Sequence, residues 1–375
     1  MVSALEKLRV LSQDSQYDLA CACGTTDAER RRRTADGHWL YPVPLAAGGT
    51  GIMFKTLLSN CCANDCRYCP LRGNANARRC TLTPDEVVNL FLEQNRKQWL
   101  LGLFLSSGVI GTPDRTMDRL LAAAELLRRK HRYRGWIHLK IIPGASHAAI
   151  DEALKLASAV SLNIEVPSAK HFRKLSQAKD FYTDIVDPVR YIASATAPGS
   201  PYARVRKTTQ FIVGASDESD REIVRCMDGI YHRLNFERVY FSAYQPGLGE
   251  PGIPGERETP LFQAGDRLTR EHRLYQTDFL LRKYRFDAAE LVFDAAGNLS
   301  LESDPKTQWA DRHPEFFPVR INTADREALL RIPGIGPAAA DKILQFRRVR
   351  RVTFLGAAGI RGKLAEKASR YCDFS

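Results

Sequence analysis

Apolar and polar positions alternate along most of the chain in a pattern that predicts repeated strand-and-helix units. From Phe54 onward, short apolar runs are separated by longer amphipathic stretches, which is typical of parallel strands joined by helices. The predicted strands are 53–58, 100–105, 136–142, 160–166, 209–213, 238–243 and 289–293. Six or seven such units without a second sheet indicate an α/β fold with a partial or full β/α (TIM-like) barrel, whose chemistry lies at the C-terminal ends of the strands.

Local signals also fix one helix start and one helix face. Thr83, Pro84 and Glu86 stand at the positions of an N-cap, a first helical residue and the third residue of a capping box. Further along, apolar residues recur at helical spacing and predict a face that packs on the core: Met117, Leu120, Leu121, Ala124 and Leu127.

Changes in composition divide the chain into four predicted parts. Residues 1–50 look irregular and form an N-terminal extension, and residues 51–295 form the barrel. The segment 296–318 has no sustained periodicity and predicts a linker. Residues 319–375 then form a small all-α domain.

Composition excludes several classes of protein. Of 375 residues, 44% are hydrophobic and 26% charged, as in globular domains. No apolar run approaches the ~20 residues of a membrane span, and the first residues lack the features of a secretory signal. We therefore expect a cytoplasmic protein without a membrane partner.

Positive charge concentrates at the C-terminal end. Residues 319–375 hold 12 Lys and Arg against 5 Asp and Glu, so they supply +7 of the formal net charge of +12. Such a basic segment favours a polyanionic partner.

Three of the nine cysteines have a spacing that indicates a metal cluster. Cys62, Cys66 and Cys69 follow the predicted strand 53–58 and precede the capped helix, so they lie on a loop over a strand end. Three thiolates in a C-x3-C-x2-C loop can bind three irons of a cubane cluster and leave the fourth iron open. A zinc site is the alternative, but structural zinc usually takes four ligands in paired knuckles.

The other cysteines are interpreted differently. Cys61 would break the spacing if it were a ligand, so we expect it to be a small buried hydrophobic residue. A second cluster on Cys21, Cys23 and Cys80 stays open as an alternative, although their spacing matches no cluster motif.

The cysteine motif, with the aromatic Tyr68 directly before its last cysteine, resembles the radical S-adenosylmethionine (radical SAM) superfamily. This resemblance implies an enzyme with a [4Fe-4S] cluster whose open iron is chelated by the amino and carboxylate groups of S-adenosylmethionine. An electron, supplied by a donor such as flavodoxin or ferredoxin, would break the sulfonium C–S bond. The products would be methionine and a 5′-deoxyadenosyl radical that removes a hydrogen atom from the substrate.

The same resemblance implies further contacts to S-adenosylmethionine. Ser106, Ser107 and Gly108 stand where the family often has a Gly-Gly-Glu type turn for the methionine amino group. Because the acid is absent here, we expect the backbone carbonyls of the two serines to make this contact. A plain strand-to-loop turn is the alternative.

Three more residues are expected around the nucleoside. Asn163 and Glu165 alternate on one face of the predicted strand 160–166 and would contact the ribose or the methionine carboxylate, unless they only bond a neighbouring strand. Gly214 would let adenine approach the fifth strand, although glycine is also common in turns. Lys140, Arg204 and Arg206 are candidates for binding a carboxylate or a substrate phosphate, and the alternative is that they are solvated surface charges.

The segment from Ile321 to Ile343 resembles the helix-hairpin-helix module of DNA-binding proteins. Its first helix would begin after Thr323, residues 333–336 would turn, and the second helix would run from Pro337 towards Arg350. Glycines permit the tight turn, and amide groups at the second helix can bind a phosphate without reading bases. The predicted nucleic-acid-binding residues are Gly334, Ile335, Gly336, Lys342, Arg347 and Arg348. A hairpin used only for protein contacts is the alternative, and residues 353–371 look like a degenerate second hairpin.

Together, the cluster motif and the hairpin resemble the radical SAM proteins assigned to DNA modification or repair. The resemblance implies an enzyme that modifies or repairs a nucleic acid, foremost DNA, with one nucleotide flipped into the barrel mouth. Two alternatives stay open, an RNA-modifying radical SAM enzyme and a non-catalytic iron–sulfur protein that binds DNA.

Overall fold

The alternating pattern folds into a seven-stranded sheet whose strands follow one another in chain order. The strands are β1 (Leu40–Pro44), β2 (Thr50–Leu57), β3 (Gly102–Ser106), β4 (Trp136–Lys140), β5 (Ala159–Ser161), β6 (Arg206–Val213) and β7 (Arg238–Ala243). β1 is antiparallel to β2, and every later neighbour pair is parallel. The sheet is curled into a partial β/α barrel, so the predicted fold class is confirmed.

This computed structural model describes residues 2–15, 39–45, 49–257 and 264–375. The chain divides into two compact units. Unit 1 comprises residues 1–218 and 229–271, and unit 2 comprises residues 219–228 and 272–375. The domain boundaries predicted above stay a prediction.

Helices cover the sheet and build the second unit. Those of unit 1 are α1 (Ala4–Asp14), α2 (Pro84–Lys97), α3 (Pro113–Glu125), α4 (His147–Leu156), α5 (Ala169–Leu175) and α6 (Asp187–Ala195). The residues of α7 (Asp220–Leu234) and α8 (Ala264–Lys283) are divided between the units. Unit 2 also contains α9 (Pro305–Arg312), α10 (Arg326–Arg331), α11 (Pro337–Phe346) and α12 (Lys363–Ser369), with the short parallel strands β8 (Val319–Arg320) and β9 (Cys372–Asp373).

The helix signals in the sequence are confirmed. The amide of Glu86 donates to Thr83 Oγ1 and the amide of Thr83 donates to Glu86 Oε2, so the capping box starts α2 as predicted. On α3, Met117 and Leu120 are fully buried.

The two faces of the sheet differ in polarity. On the outer face, Phe54 packs edge-on against Phe91 of α2 with ring centroids 5.8 Å apart. On the inner face, Lys55 of β2 lies in register with Phe104 of β3, which in turn pairs with His138 of β4. Parallel strands covered on both faces are usually apolar throughout. The polar inner face therefore marks the barrel interior as the functional side.

Two predicted strands are wrong in whole or in part. Residues 289–293 do not form a strand, because Asp287 and Glu290 make a capping box that starts a short helical turn at Ala288–Glu290. The predicted strand 160–166 ends at Ser161. Beyond it, Glu165 makes only an isolated bridge to Phe211.

The predicted extension and linker contain regular structure. Within the extension, Ser3 and Glu6 form a capping box that starts α1, and β1 pairs with the barrel strand β2. Cys21 and Cys23 lie outside the described residues. Within the predicted linker, Asp304 caps α9, whose Trp309 is buried. In the part of the chain that the structure describes, no helix is both long enough and apolar enough to span a membrane.

Candidate functional site

The cysteine loop lies between β2 and α2, where the sequence predicted it. Backbone hydrogen bonds attach it to the chain that follows β3. The amide of Ala63 donates to the Val109 carbonyl at 2.8 Å, and the amide of Gly108 donates to the Ser59 carbonyl at 2.7 Å. The loop is therefore fixed at the C-terminal edge of the sheet.

Backbone amides also approach the sulfur atoms of this loop. The amide of Val109 donates to Cys62 Sγ and the amide of Leu71 donates to Cys69 Sγ, both at 3.4 Å. Amide hydrogen bonds to thiolate sulfur stabilise iron–sulfur clusters and tune their potentials. The donor set of three thiols, two of which accept from backbone amides, thus fits a [4Fe-4S] cluster.

The described residues hold no group of three His, Cys, Asp or Glu side chains arranged for a single metal ion. A cubane cluster makes a different demand, because each of its thiolate ligands binds a different iron.

Gly108 was predicted to contact the methionine amino group, but the structure shows a second requirement for glycine at this position, because there is no room for a Cβ. A Cβ at this position would lie 2.4 Å from the Cys61 carbonyl oxygen and 3.2 Å from Cys62 Cβ. The carbonyl of Ser106 accepts the Leu58 amide at 2.7 Å, and the Ser107 hydroxyl donates to the Gly108 carbonyl at 2.7 Å. The contacts of these three residues to S-adenosylmethionine stay predictions.

A lysine that the sequence analysis missed lies beside the thiols. Asp65, inside the cysteine motif, accepts from the amides of Gln177 at 2.7 Å and Ala178 at 3.0 Å. These bonds fix the segment that follows α5, and the next residue, Lys179, hydrogen-bonds Cys66. Residue spacing could not have indicated this pair, because more than a hundred positions separate the two residues.

Burial and a nearby positive charge shift the pKa of a cysteine thiol in opposite directions. Burial raises the pKa of the Cys66 thiol, and the nearby Lys179 ammonium only partly offsets this. Burial likewise raises the pKa of Cys69. Because the cluster binds thiolates, its assembly must release these protons.

Asn163, Glu165 and Tyr68 come together as one hydrogen-bonded group. Asn163 Oδ1 accepts from Lys140 Nζ at 2.6 Å, and the Glu165 carboxyl group is bonded by Tyr68 and Asn163. Among the described residues, Glu165 Oε2 is buried without a hydrogen-bond partner. Burial raises the pKa of Glu165, although Lys179 and Lys140 oppose this shift.

The backbone of Glu165 is unusual as well. Its φ of +65° lies in the left-handed region, which is rare for a residue with a side chain. The amide of Ile212 donates to the Glu165 carbonyl at 2.8 Å, and the amide of Glu165 donates to the Gln210 carbonyl at 3.0 Å. These bonds hold the strained residue at β6. Strain of this kind clusters at functional sites, so the buried free oxygen is well suited to a ligand hydroxyl or amine.

A pocket adjoins this group at the ends of β6 and β7. It is lined by Tyr68, Cys69, Pro70, Ile212, Ser242, Ala243, Tyr244, Gln245 and Leu248. Gly214 ends β6 with a φ of +82°, and its amide donates to Glu218 Oε1 at 2.6 Å. The structure therefore brings Tyr68 and Cys69 to one pocket and places Gly214 just beyond the strand that contributes Ile212.

The hairpin turn of unit 2 is built mainly from backbone. Gly334 has a φ of +90°, and a Cβ there would lie 2.4 Å from the Leu364 carbonyl oxygen. The Ile335 side chain is buried in the core of this unit. Gly336 stands directly before α11 as its N-cap. A ligand at the turn would thus meet peptide groups rather than side chains.

The predicted basic contacts of the hairpin do not all have the same role. Lys342 and Arg348 are exposed. Arg347 instead donates from Nη1 to the carbonyls of Ile321 at 3.1 Å and Ala324 at 2.6 Å, so part of its guanidinium serves the fold. Its role as a phosphate contact stays a prediction.

The helices of this unit also start and end differently from the prediction. Asp325 accepts from the Ala328 amide at 2.7 Å and caps α10, so this helix begins two residues later than expected. The Asn322 side chain is used elsewhere, because it exchanges two hydrogen bonds with the backbone of Val352. α11 ends at Phe346, short of the predicted Arg350.

Two protein-family models match the chain. Residues 56–229 match the radical SAM superfamily, and residues 318–346 match the helix-hairpin-helix motif. The chain therefore contains a radical SAM domain. The superfamily uses a [4Fe-4S] cluster and S-adenosylmethionine, so the predicted enzyme class and its two cofactors are confirmed at this level.

Several solved structures resemble this chain at low identity. The FeFe-hydrogenase maturase HydG from Carboxydothermus hydrogenoformans is 16% identical, with a TM-score of 0.48 over 60% of this chain and 51% of that chain. Methylornithine synthase (PylB) is 14% identical, with a TM-score of 0.46 over 74% of each chain. SuiB from Streptococcus suis, bound to the precursor peptide SuiA, is 14% identical, with a TM-score of 0.41 over 61% of this chain and 46% of that chain.

The chain spans about half the length of the first of these structures. No curated protein matches it. At such low similarity, nothing about the substrate or the reaction follows from these neighbours.

Proposed function

We propose that this protein is a radical SAM enzyme that modifies or repairs a nucleic acid, foremost DNA. The observation that supports this most strongly is that one chain contains both a radical SAM domain and a helix-hairpin-helix motif. Linking a binding module to a catalytic domain raises the effective concentration of substrate at the catalytic domain.

The residues of the cysteine loop have distinct proposed roles. Cys62, Cys66 and Cys69 would each bind one iron, and the bound cluster supplies the electron that breaks the C–S bond of S-adenosylmethionine. Tyr68 would keep Glu165 in place through their hydrogen bond, leaving Oε2 to accept from a ligand group. Ser106, Ser107, Asn163 and Gly214 complete the proposed nucleoside and methionine contacts.

The hairpin would bind the phosphate backbone. Its turn offers peptide amides at the start of α11, which carry a partial positive charge. Exposed Lys342 and Arg348 add positive charge, in a segment whose excess is +7. Because backbone contacts carry no sequence information, selection of the reacting nucleotide would belong to the barrel. This division fits an enzyme that acts on a flipped nucleotide.

The cluster also needs a reductant. A flavodoxin or ferredoxin of the cytoplasm would supply the electron, which makes such a protein part of this proposal.

Activity is tested on the full chain after anaerobic reconstitution. We expect dithionite-reduced protein to convert S-adenosylmethionine to 5′-deoxyadenosine and methionine, and Cys66→Ala to abolish this conversion. Cys226→Ala, on α7, is the matched control and should retain it. Equal turnover in Cys66→Ala and the wild-type chain would rule out the cluster assignment.

The nucleic acid is tested separately. We expect Lys342→Ala, and Gly336→Leu more strongly, to weaken binding of duplex DNA while the iron content stays unchanged. Lys130→Ala, which removes an exposed lysine of unit 1, is the control. Tighter binding of transfer RNA than of duplex DNA would favour the RNA alternative. Unaltered nucleosides in cells lacking the protein, measured by mass spectrometry, would argue against a nucleic-acid substrate.

A further inference from the structure

One buried lysine of unit 2 occupies a position that elementary electrostatics disfavours. Lys306 is the second residue of α9, where a positive charge meets the positive end of the helix dipole. The residue is also only 7% exposed. Burying an ammonium group is costly unless other groups compensate its charge. Such a placement calls for a compensating contact.

The Lys306 ammonium contacts the hairpin turn directly. Its Nζ donates to the Ile335 carbonyl at 2.5 Å and lies 4.7 Å from the ring centroid of Tyr284. A Cβ on Gly336 would in turn lie 3.0 Å from Tyr284 Oη. Lys306 and Tyr284 therefore lie next to each other beneath the turn. Lys306 lies outside the residues that match the helix-hairpin-helix motif.

The geometry of a peptide bond transmits this contact to the other side of the turn. The Ile335 carbonyl and the Gly336 amide belong to one peptide group, and in a trans peptide the two point in opposite directions. The Gly336 N–H thus points away from Lys306. It lies at the start of α11, where the first amides of a helix have no acceptor within the helix. A cation at the oxygen end also polarises the peptide, which makes its N–H a stronger donor.

We propose that Lys306 belongs to the phosphate-binding site of the hairpin, acting through the Ile335–Gly336 peptide on a phosphodiester of the nucleic-acid backbone. This inference rests on the proposed function. Lys306 is a positioning and charge-supplying residue that does not touch the phosphate. Its role explains why a buried ammonium is retained beneath a turn made of glycine and isoleucine.

The charged groups around Lys306 are largely paired with one another. Asp304 binds Lys367 at 2.7 Å, and Arg331 binds Glu290 at 2.6 Å. Burial lowers the pKa of Lys306 to about 7. The charge of Asp304 opposes this shift, and those of Lys367 and Arg331 add to it. A bound phosphate would favour the charged ammonium. Nucleic-acid affinity should therefore fall as the pH rises above about 7, when free protein loses this proton.

The test measures binding of a fluorescent DNA duplex by anisotropy with the full chain. For Lys306→Met at about pH 6, we expect the Kd to rise about tenfold. This is the order of magnitude expected when one partly screened charge is removed at the distance of one peptide group from the phosphate. The pH dependence of the Kd should also disappear. Lys306→Gln, which keeps a donor for the Ile335 carbonyl without the charge, should behave in the same way. Lys283→Met, which removes an exposed lysine of the same unit, should bind like the wild-type chain.

Thermal unfolding of the same variants separates this role from a structural one. Because Lys306→Met removes a buried charge, its unfolding midpoint should be unchanged or higher while affinity falls. A wild-type Kd and pH dependence in both Lys306 variants would overturn the inference and leave the proposed function intact. A fall in midpoint together with an equal loss of affinity at every pH would also overturn it. Failure of the wild-type chain to bind DNA or RNA would refute the proposed function, and this inference with it.

Discussion

Replacing Gly108 by alanine should remove the cluster without unfolding the barrel. The added Cβ would lie 2.4 Å from the Cys61 carbonyl oxygen, whereas ordinary van der Waals contact begins at 3.4 Å. The obstacle is backbone rather than a flexible side chain, so the cysteine loop must move back by about 1 Å. Metal–ligand distances tolerate only about 0.2 Å. Overpacking of this size costs ~1–3 kcal/mol, which a domain of this size can absorb.

The assay is cluster content after anaerobic reconstitution, measured as iron and acid-labile sulfide and by electron paramagnetic resonance of the reduced protein. We expect a large loss in Gly108→Ala and a circular dichroism spectrum like that of the wild-type chain. Gly229→Ala is the control, because its Cβ meets only the flexible end of Arg233 within α7. There we expect full loading, and stability gained by up to ~1 kcal/mol from helix propensity. Full loading of Gly108→Ala with an unchanged resonance spectrum would refute the reasoning.

Three further predictions concern single side chains. Glu165→Gln should keep the cluster but raise the S-adenosylmethionine concentration for half-maximal cleavage about tenfold, since a charged acceptor is lost; an unchanged value would remove Glu165 from the site. Lys179→Met should lower the reduction potential of the cluster in a redox titration, because a cation that bonds Cys66 stabilises the more negative reduced state; an equal potential would contradict this. The unfolded chain keeps the Lys306 proton up to about pH 10.5, whereas the folded chain loses it near pH 7. The free energy of unfolding of the wild-type chain should therefore rise between these pH values relative to that of Lys306→Met. Denaturant titrations that give both proteins the same change in unfolding free energy with pH would contradict this.

Features determined by neighbouring residues could be predicted from the sequence. The capping box of Thr83 and Glu86 starts α2 because both partners lie within one helical turn. The spacing of Cys62, Cys66 and Cys69 fixes a ligand set because one loop carries all three. Six of the seven predicted strands are present in the structure. They could be predicted because a short apolar run between two amphipathic helices has few stable alternatives to a buried strand.

Predictions failed where local signals competed. The apolar residues at 289–293 suggested a strand, but the polar pair Asp287 and Glu290 made a capping box and a helical turn instead. Asn163 and Glu165 were expected on one face of a strand. The strand ends at Ser161. Glu165 itself then adopts the left-handed conformation, which directs its carboxyl group into the site.

The sequence by itself thus determined the chemistry of the cluster ligands, the order of strands and helices, and the hairpin turn, because each depends on residues close together in the chain. Only the tertiary structure decided which distant charges act on these elements. Lys179 reaches Cys66 because Asp65 holds the segment that precedes it, and Lys306 reaches Ile335 because the first turn of α9 lies within hydrogen-bond distance of the hairpin turn. Electrostatic and hydrogen-bond energies depend on distance in space and on burial, and neither can be read from separation along the chain.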